Sequence, residues 1–90
     1  MAHYAKVDLS NNSTTVLSSR GRIHAIYVDT VLSNHACPIK DGTTTVFSIV
    51  AQAAAGTYLE LYGIEFGTSI VVDPDDSATG AIVVIYDTNL

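Results

Sequence analysis

The last third of the chain, Thr57–Tyr86, has the sequence TYLELYGIEFGTSIVVDPDDSATGAIVVIY. It contains two apolar segments, Ile70–Val72 and Ala81–Tyr86, which are joined by the polar segment Asp73–Gly80. Successive side chains of a strand point to opposite faces, and the second segment is apolar on both of them. Such a strand has to be covered on both faces, by a second sheet or by another chain. This stretch therefore predicts a layered β-fold.

The rest of the chain predicts further short strands separated by turn residues. Asp41-Gly42 is a strong signal for a hairpin turn between Pro38–Lys40 and Thr43–Ala51. The run Ala53–Ala55 has a high helix propensity, but it is too short to hold a helix and is predicted as a loop. The predicted strands before the hairpin are His3–Leu9, Thr14–Ser19 and Gly21–Leu32. We therefore predict one all-β domain over residues 1–90, a small antiparallel β-sandwich or jelly-roll-like fold.

Two of the predicted strands have an imperfect alternation. In Gly21–Leu32, strict alternation places Ile23, Ala25 and Tyr27 on one face and Ile26 and Val28 on the other. In Tyr58–Phe66, two apolar pairs are out of phase because Leu61 and Ile64 are three positions apart. One extra residue at Gly63, as in a β-bulge, keeps both pairs on the same face. The alternative is a break between two separate strands, and the sequence leaves both open.

The composition indicates more apolar surface than a small domain hides. Of the 90 residues, 48% are hydrophobic and only 14% are charged, and the mean hydropathy is +0.31. A chain of this length buries only about 60–65% of its unfolded surface. The excess predicts an oligomer or a domain that sits on a partner.

The charge and the single cysteine exclude several classes of function. The net charge is −5, with four Lys and Arg residues in all, which argues against binding to nucleic acid or to anionic membranes. No apolar run approaches the roughly 20 residues of a membrane span, and no signal-peptide core is present, so we expect synthesis in the cytoplasm. Cys37 is the only cysteine, so no disulfide forms within the chain.

Two clusters contain metal-ligating residue types. His35 and Cys37 are zinc ligand types, but a structural zinc site needs four ligands and a catalytic site three. Asp73, Asp75 and Asp76 are rich enough in oxygen to suggest calcium. A solvated hairpin turn is the favoured alternative there, since its charges also oppose aggregation of the apolar strands on either side. We therefore predict no metal and no cofactor.

No motif predicts an enzyme. The chain has no G-x-S-x-G elbow, no P-loop and no G-x-G-x-x-G, and so small a domain has little room for a cleft between Glu60 and Glu65. Tyr58 and Tyr62 flank Glu60 on one alternating face. They predict either a sugar-stacking platform or a tyrosine-lined subunit interface, and the interface is favoured.

Four segments together resemble a known class of proteins: G-R-I-H-A-I-Y-V (Gly21–Val28), D-G-T-T-T-V-F-S-I (Asp41–Ile49), Y-G-I-E-F-G-T-S-I-V-V (Tyr62–Val72) and G-A-I-V-V-I-Y (Gly80–Tyr86). This order of segments is similar to that of small all-β virion proteins of tailed bacteriophages, including head decoration (cement) proteins. The resemblance implies a β-sandwich on the capsid surface that binds the assembled major capsid protein, as a trimer or dimer, and stabilises the shell. A collar, tail or fibre-associated role is a related implication. No active-site residues come with it.

We therefore predict a virion structural protein that buries apolar strand surface between subunits and against the shell. Either terminal segment, His3–Leu9 or Asp87–Leu90, is a candidate arm that reaches a neighbour. A carbohydrate-binding module is the first alternative, and a small enzyme with clustered His, Cys and Asp is the second. The candidate interface residues are Tyr58, Tyr62, Ile82, Val84 and Tyr86.

Overall fold

The computed structural model describes residues 2–88. This range contains eight strands, joined by turns and loops, and no helix. The strands form two four-stranded antiparallel sheets, in the orders β1-β8-β3-β6 and β2-β7-β4-β5. This architecture confirms the predicted all-β sandwich. The strands are β1 (Ala2–Asp8), β2 (Thr14–Leu17), β3 (Gly21–Thr30), β4 (Cys37–Asp41), β5 (Thr44–Ile49), β6 (Tyr58–Phe66), β7 (Ile70–Val72) and β8 (Ala81–Asp87).

The pairing is that of a jelly roll. β1 pairs with β8, β2 with β7, β3 with β6 and β4 with β5, so the chain is a ribbon of nested antiparallel pairs wrapped into two sheets. β7 and β8 consequently lie in different sheets. The expectation that Asp73–Gly80 forms a hairpin turn is therefore wrong, because this segment crosses from one sheet to the other.

The core lies between the two sheets and includes one face of β8. Ile82 and Val84 are 0% exposed and belong to the same cluster as Ile70 and Val72 of the second sheet. The other face of β8, which carries Ala81, Val83 and Ile85, is only half-buried. The second sheet thus covers one of the two apolar faces of this strand and leaves the other on the outside.

A bulge in β3 changes which of its residues face the core. Ile23 pairs with Tyr86 and Ala25 with Ile85, so His24 is an extra residue in β3. The bulge shifts the alternation, and Ile23, Ile26 and Val28 all lie in the core at 0% exposure. The expectation that Ile23 shares a face with Ala25 and Tyr27 is therefore wrong.

β6 is a continuous strand with a larger bulge, which confirms the bulge and excludes the break. Between the pairs Ile23–Ile64 and Ala25–Glu60, the three residues 61–63 of β6 lie opposite His24 alone, so there are two extra residues rather than one. Tyr62 and Gly63 have positive φ values of 54° and 71°. Leu59 and Leu61 pack against the core and Phe66 is buried in it, whereas Ile64 is 37% exposed.

The two side-chain contacts of Arg22 stabilise this bulge. Its Nη1 donates to the carbonyl oxygen of Gly63 at 3.1 Å, and its Nη2 lies 3.0 Å from Oε1 of Glu65. A non-glycine residue in the left-handed region costs on the order of 1 kcal/mol. Arg22 therefore offsets part of the strain at Tyr62 by holding the backbone on the far side of the bulge.

The predicted hairpin at Asp41-Gly42 is confirmed, and Asp41 also ties it to a second turn. β4 and β5 pair on either side of Gly42, whose φ is +62°. The Asp41 carboxylate accepts hydrogen bonds from the backbone N–H groups of Gly67 (2.9 Å), Thr68 (2.8 Å) and Ser69 (3.3 Å). These hydrogen bonds favour the charged carboxylate and lower the pKa of Asp41.

The first segment of the chain is part of the sheet. β1 pairs with β8 from Ala2↔Asp87 to Asp8↔Ala81, and Val7 and Leu9 are buried in the core. The expectation that His3–Leu9 is an arm is therefore wrong in the described chain. For the other candidate arm, Asp87 closes β8, while Asn89 and Leu90 lie outside the described residues.

Candidate interaction surface

The outer face of the β1-β8-β3-β6 sheet carries two rows of aligned side chains. Strand register places Tyr4, Ile85, Ala25 and Glu60 in one row, and Lys6, Val83, Tyr27 and Tyr58 in the next. We call the apolar members of these rows the tyrosine face: Tyr4, Ala25, Tyr27, Tyr58, Val83 and Ile85. The face exists because β8 is apolar on both sides and because the His24 bulge turns Ala25 and Tyr27 outward.

The tyrosine face combines exposed aromatic rings with a half-buried aliphatic floor. Tyr4 is 77%, Tyr58 56% and Tyr27 38% exposed. Ala25 is 1% exposed but lies outside the core cluster, since its larger neighbours on the outer face cover it. A contiguous apolar patch of this kind on a sheet marks an interaction site more often than isolated apolar residues do, and tyrosine is enriched in such sites.

Charged side chains border the tyrosine face. Beyond the row of Tyr4, the register places Asp87, Arg22 and Glu65 side by side. Near the opposite border, Nζ of Lys6 forms an ion pair with Asp29 at 3.0 Å. The arrangement is that of an apolar centre within a polar rim, which is the usual anatomy of a protein interface.

A shallow groove of about 510 Å³ opens at the Lys6 end of the tyrosine face. Its lining combines polar and apolar atoms, and Lys6, its only basic group, is already paired with Asp29. The groove therefore adds both polar and apolar contacts beside the tyrosine face. It is lined by Lys6, Asp8, Ser10, Thr30, Gly80 and Ala81.

The five candidate interface residues differ in how far they are exposed and in where they lie. Tyr58 lies on the tyrosine face, and Tyr62 is 89% exposed at the β6 bulge. Ile82 and Val84 are 0% exposed, so they have no surface to offer a partner in this structure. Tyr86 is partly buried against the core, with its ring centroid 5.5 Å from that of His3.

Ile82 and Val84 are buried because they lie on the face of β8 that points to the second sheet. Alternation shows that Ile82 and Val84 oppose Val83 and Ile85, but both faces are apolar, and only the packing of the second sheet decides which is covered. The residues that the sequence reasoning missed are Tyr4, Ala25, Tyr27, Val83 and Ile85. The fully apolar pattern of β8 was the available signal that a second apolar face exists.

The clusters considered for metal binding are used structurally. Cys37 is 1% exposed, and burial raises the pKa of its thiol to about 12. Asp73 forms an ion pair with Lys40 at 2.6 Å, and Oδ1 of Asp75 accepts a hydrogen bond from the Ser77 N–H at 2.9 Å. Within residues 2–88, no three His, Cys, Asp or Glu side chains are grouped so that they could hold a metal ion.

Comparisons with protein-family models, with curated proteins and with solved structures find no match for this chain. In the part of the chain that the structure describes, no helix has the length and hydropathy needed to cross a membrane. The resemblance to phage virion proteins therefore stays a prediction.

Proposed function

We propose that this protein is a virion structural protein of the head decoration (cement) type, which self-associates and docks on assembled major capsid protein. The observation that carries the proposal is the tyrosine face, an exposed aromatic patch on a rigid sheet. Burying such a patch yields about 25 cal/mol per Å² of apolar area. Tyrosine contributes a large contact area at low cost in side-chain entropy.

The proposed mechanism depends on repetition. A capsid presents many identical sites, so a modest contact per copy becomes strong binding once several linked copies engage the shell together. The acidic net charge of −5 suits a partner that is protein rather than nucleic acid. Eight-stranded jelly rolls occur in viral capsid and lectin domains, and this likeness supports the proposal only as an analogy of fold.

The test is binding to empty shells assembled from the major capsid protein of the same virus. We expect the protein to sediment with the shells and to raise their temperature of disassembly. Tyr58→Ser, which removes an exposed ring from the tyrosine face, is expected to weaken the binding. Val50→Ser is the matched control, because Val50 is 70% exposed but follows β5 of the other sheet. If the protein does not bind shells, or if both variants bind like the parent, the proposal fails.

A carbohydrate-binding module is the second candidate, and one pair of residues favours it. Tyr27 and Tyr58 are register partners, and Glu60 lies on the same face of β6 as Tyr58. Aromatic rings beside a carboxylate provide a stacking surface and hydrogen-bond acceptors for a sugar. A glycan array distinguishes the two candidate functions. A carbohydrate-binding module is expected to bind a defined set of glycans, and its Tyr58→Ser variant is expected to lose that binding. A decoration protein is expected to bind no glycan.

A further inference from the structure

We infer that the outer edge of β1 accepts an extended segment of the partner protein, which adds to the β1-β8-β3-β6 sheet as a fifth strand. The inference rests on the proposed function only in naming the source of that segment, the major capsid protein. It is argued from the backbone hydrogen-bonding groups of the edge strands and from the side chains of β1.

β1 presents unpaired backbone groups along its outer edge. The Leu9 N–H donates to the carbonyl oxygen of Gly80 at 2.9 Å. In this register the odd-numbered residues of β1 therefore bond to β8, and the even-numbered ones point their N–H and C=O groups away from it. Tyr4 and Lys6 keep both groups free of a backbone partner in the described chain. An extended polypeptide carries donors and acceptors at the same two-residue spacing, so it is the ligand that satisfies them.

Within residues 2–88, β1 is the only edge strand with a regular register. β2 has an extra residue at Val16 and β5 at Val46, and three residues of β6 lie opposite His24. Bulges of this kind interrupt the row of bonding groups and twist an edge away from an incoming strand. β1 pairs with β8 over all seven of its residues without such a shift, so it is the edge to which a further strand can add.

The basic side chain that would protect this edge is directed away from it. Charged side chains on an edge strand oppose the addition of another strand, and lysine is the commonest of them. Nζ of Lys6 lies 3.0 Å from Oδ2 of Asp29 in β3, and β8 lies between β1 and β3. The Lys6 side chain therefore crosses over β8 and leaves the edge open. β1 also contains no proline, which would remove an N–H group.

The side chains of β1 define the segment that fits. Antiparallel addition is favoured, because β1 already pairs antiparallel with β8 and antiparallel pairs are slightly more stable. On the inner side the new strand lies beside Ala5 and the buried Val7, which favours β-branched apolar residues. On the outer side it begins beside the exposed Asp8, which favours Lys or Arg. The segment is therefore apolar at alternate positions and basic at its N-terminal end.

The first test is amide hydrogen exchange of the full chain by NMR, with the capped peptide KVTVTVT as the probe. In the free protein, the amides of Tyr4 and Lys6 should exchange fast and those of Ala5 and Val7 slowly. With free peptide at about ten times its Kd, exchange at Tyr4 and Lys6 should slow about tenfold. The same peptide N-methylated at its first two threonines loses the donors that face β1 and should have no effect.

Two results of this test would overturn the inference. One is no slowing at millimolar peptide, or slowing in β5 or β6 instead. The other is slowing at Tyr4 and Lys6 that rises with the concentration of the protein itself, without peptide, because a second copy would then occupy the edge.

The second test compares two substitutions at Lys6 for binding to empty capsid shells. Lys6→Pro removes the outward N–H and the side chain, whereas Lys6→Ser removes the side chain alone, so their difference reports the backbone hydrogen bond. We expect Lys6→Pro to bind at least tenfold more weakly than Lys6→Ser, with thermal melts to verify folding. Equal binding would refute the use of this edge and leave the proposed function intact. If the parent binds no shells but the peptide protects Tyr4 and Lys6, the proposed function fails and the edge stands as a strand-binding site.

Discussion

The two faces of β8 predict opposite outcomes for neighbouring valines. Val84 is 0% exposed in the core, whereas Val83 is half-buried on the tyrosine face. Val84→Ala removes the equivalent of two buried CH₂ groups, about 1.6 kcal/mol of transfer free energy, and leaves a cavity that costs about 1 kcal/mol more. We therefore expect Val84→Ala to lower the free energy of unfolding by about 2–3 kcal/mol. Val83→Ala should cost less than about 1 kcal/mol, because its site stays open to water.

The assay is urea unfolding of both variants and the parent, at a protein concentration low enough for the monomer to predominate. The urea slopes should agree, so that the midpoints report stability alone. For a domain of this size the loss at Val84 corresponds to a fall in melting temperature of about 10–20 °C. If Val83→Ala lowers the free energy of unfolding as much as Val84→Ala does, then Val83 is as deeply buried as Val84. The tyrosine face would then be wrongly placed.

Three further predictions concern other parts of the fold. The lowered folded-state pKa of Asp41 adds stability that is fully present above its ordinary value of 3.8 and is lost as the pH falls through the lower folded value. Asp41→Asn should therefore be less stable than the parent at pH 7 and lose less stability on acidification, and parallel pH profiles of the two would contradict this. Gly63→Ala, at a φ of +71°, should destabilise by about 1 kcal/mol in thermal melts, whereas no change would mean that the β6 bulge relaxes freely. Cys37, buried and with its pKa raised to about 12, should react with a thiol reagent only at the rate of global unfolding. Fast labelling of the native protein would show an open site instead.

The strands and their turns could be predicted from local patterns. The Asp-Gly pair is enough to place the hairpin at Asp41-Gly42. The phase change at Gly63 locates the irregularity in β6, although it leaves a bulge and a strand break as alternatives. These features depend on residues that are close together in the chain. The phase change predicts one extra residue in the bulge, whereas the structure has two, because residues 61–63 lie opposite His24 alone.

The sheet assignments could not be predicted in the same way. Adjacent segments such as β7 and β8 pair in a hairpin in many folds, but here they belong to different sheets. The jelly-roll pairing joins β1 to β8 and β2 to β7 across most of the chain. No local pattern encodes a pairing between residues so far apart, because it depends on the packing of both sheets at once.

The sequence by itself determined the all-β class, the absence of an internal disulfide and the excess of apolar side chains in β8, since composition and alternation are properties of the chain alone. The tertiary structure decided where that excess lies. Ile82 and Val84 point to the second sheet, and Val83 and Ile85 join Tyr4, Tyr27 and Tyr58 on the outer face. The physical reason is that alternation separates two faces without saying which one a second sheet will cover. That choice is made only when the two sheets pack.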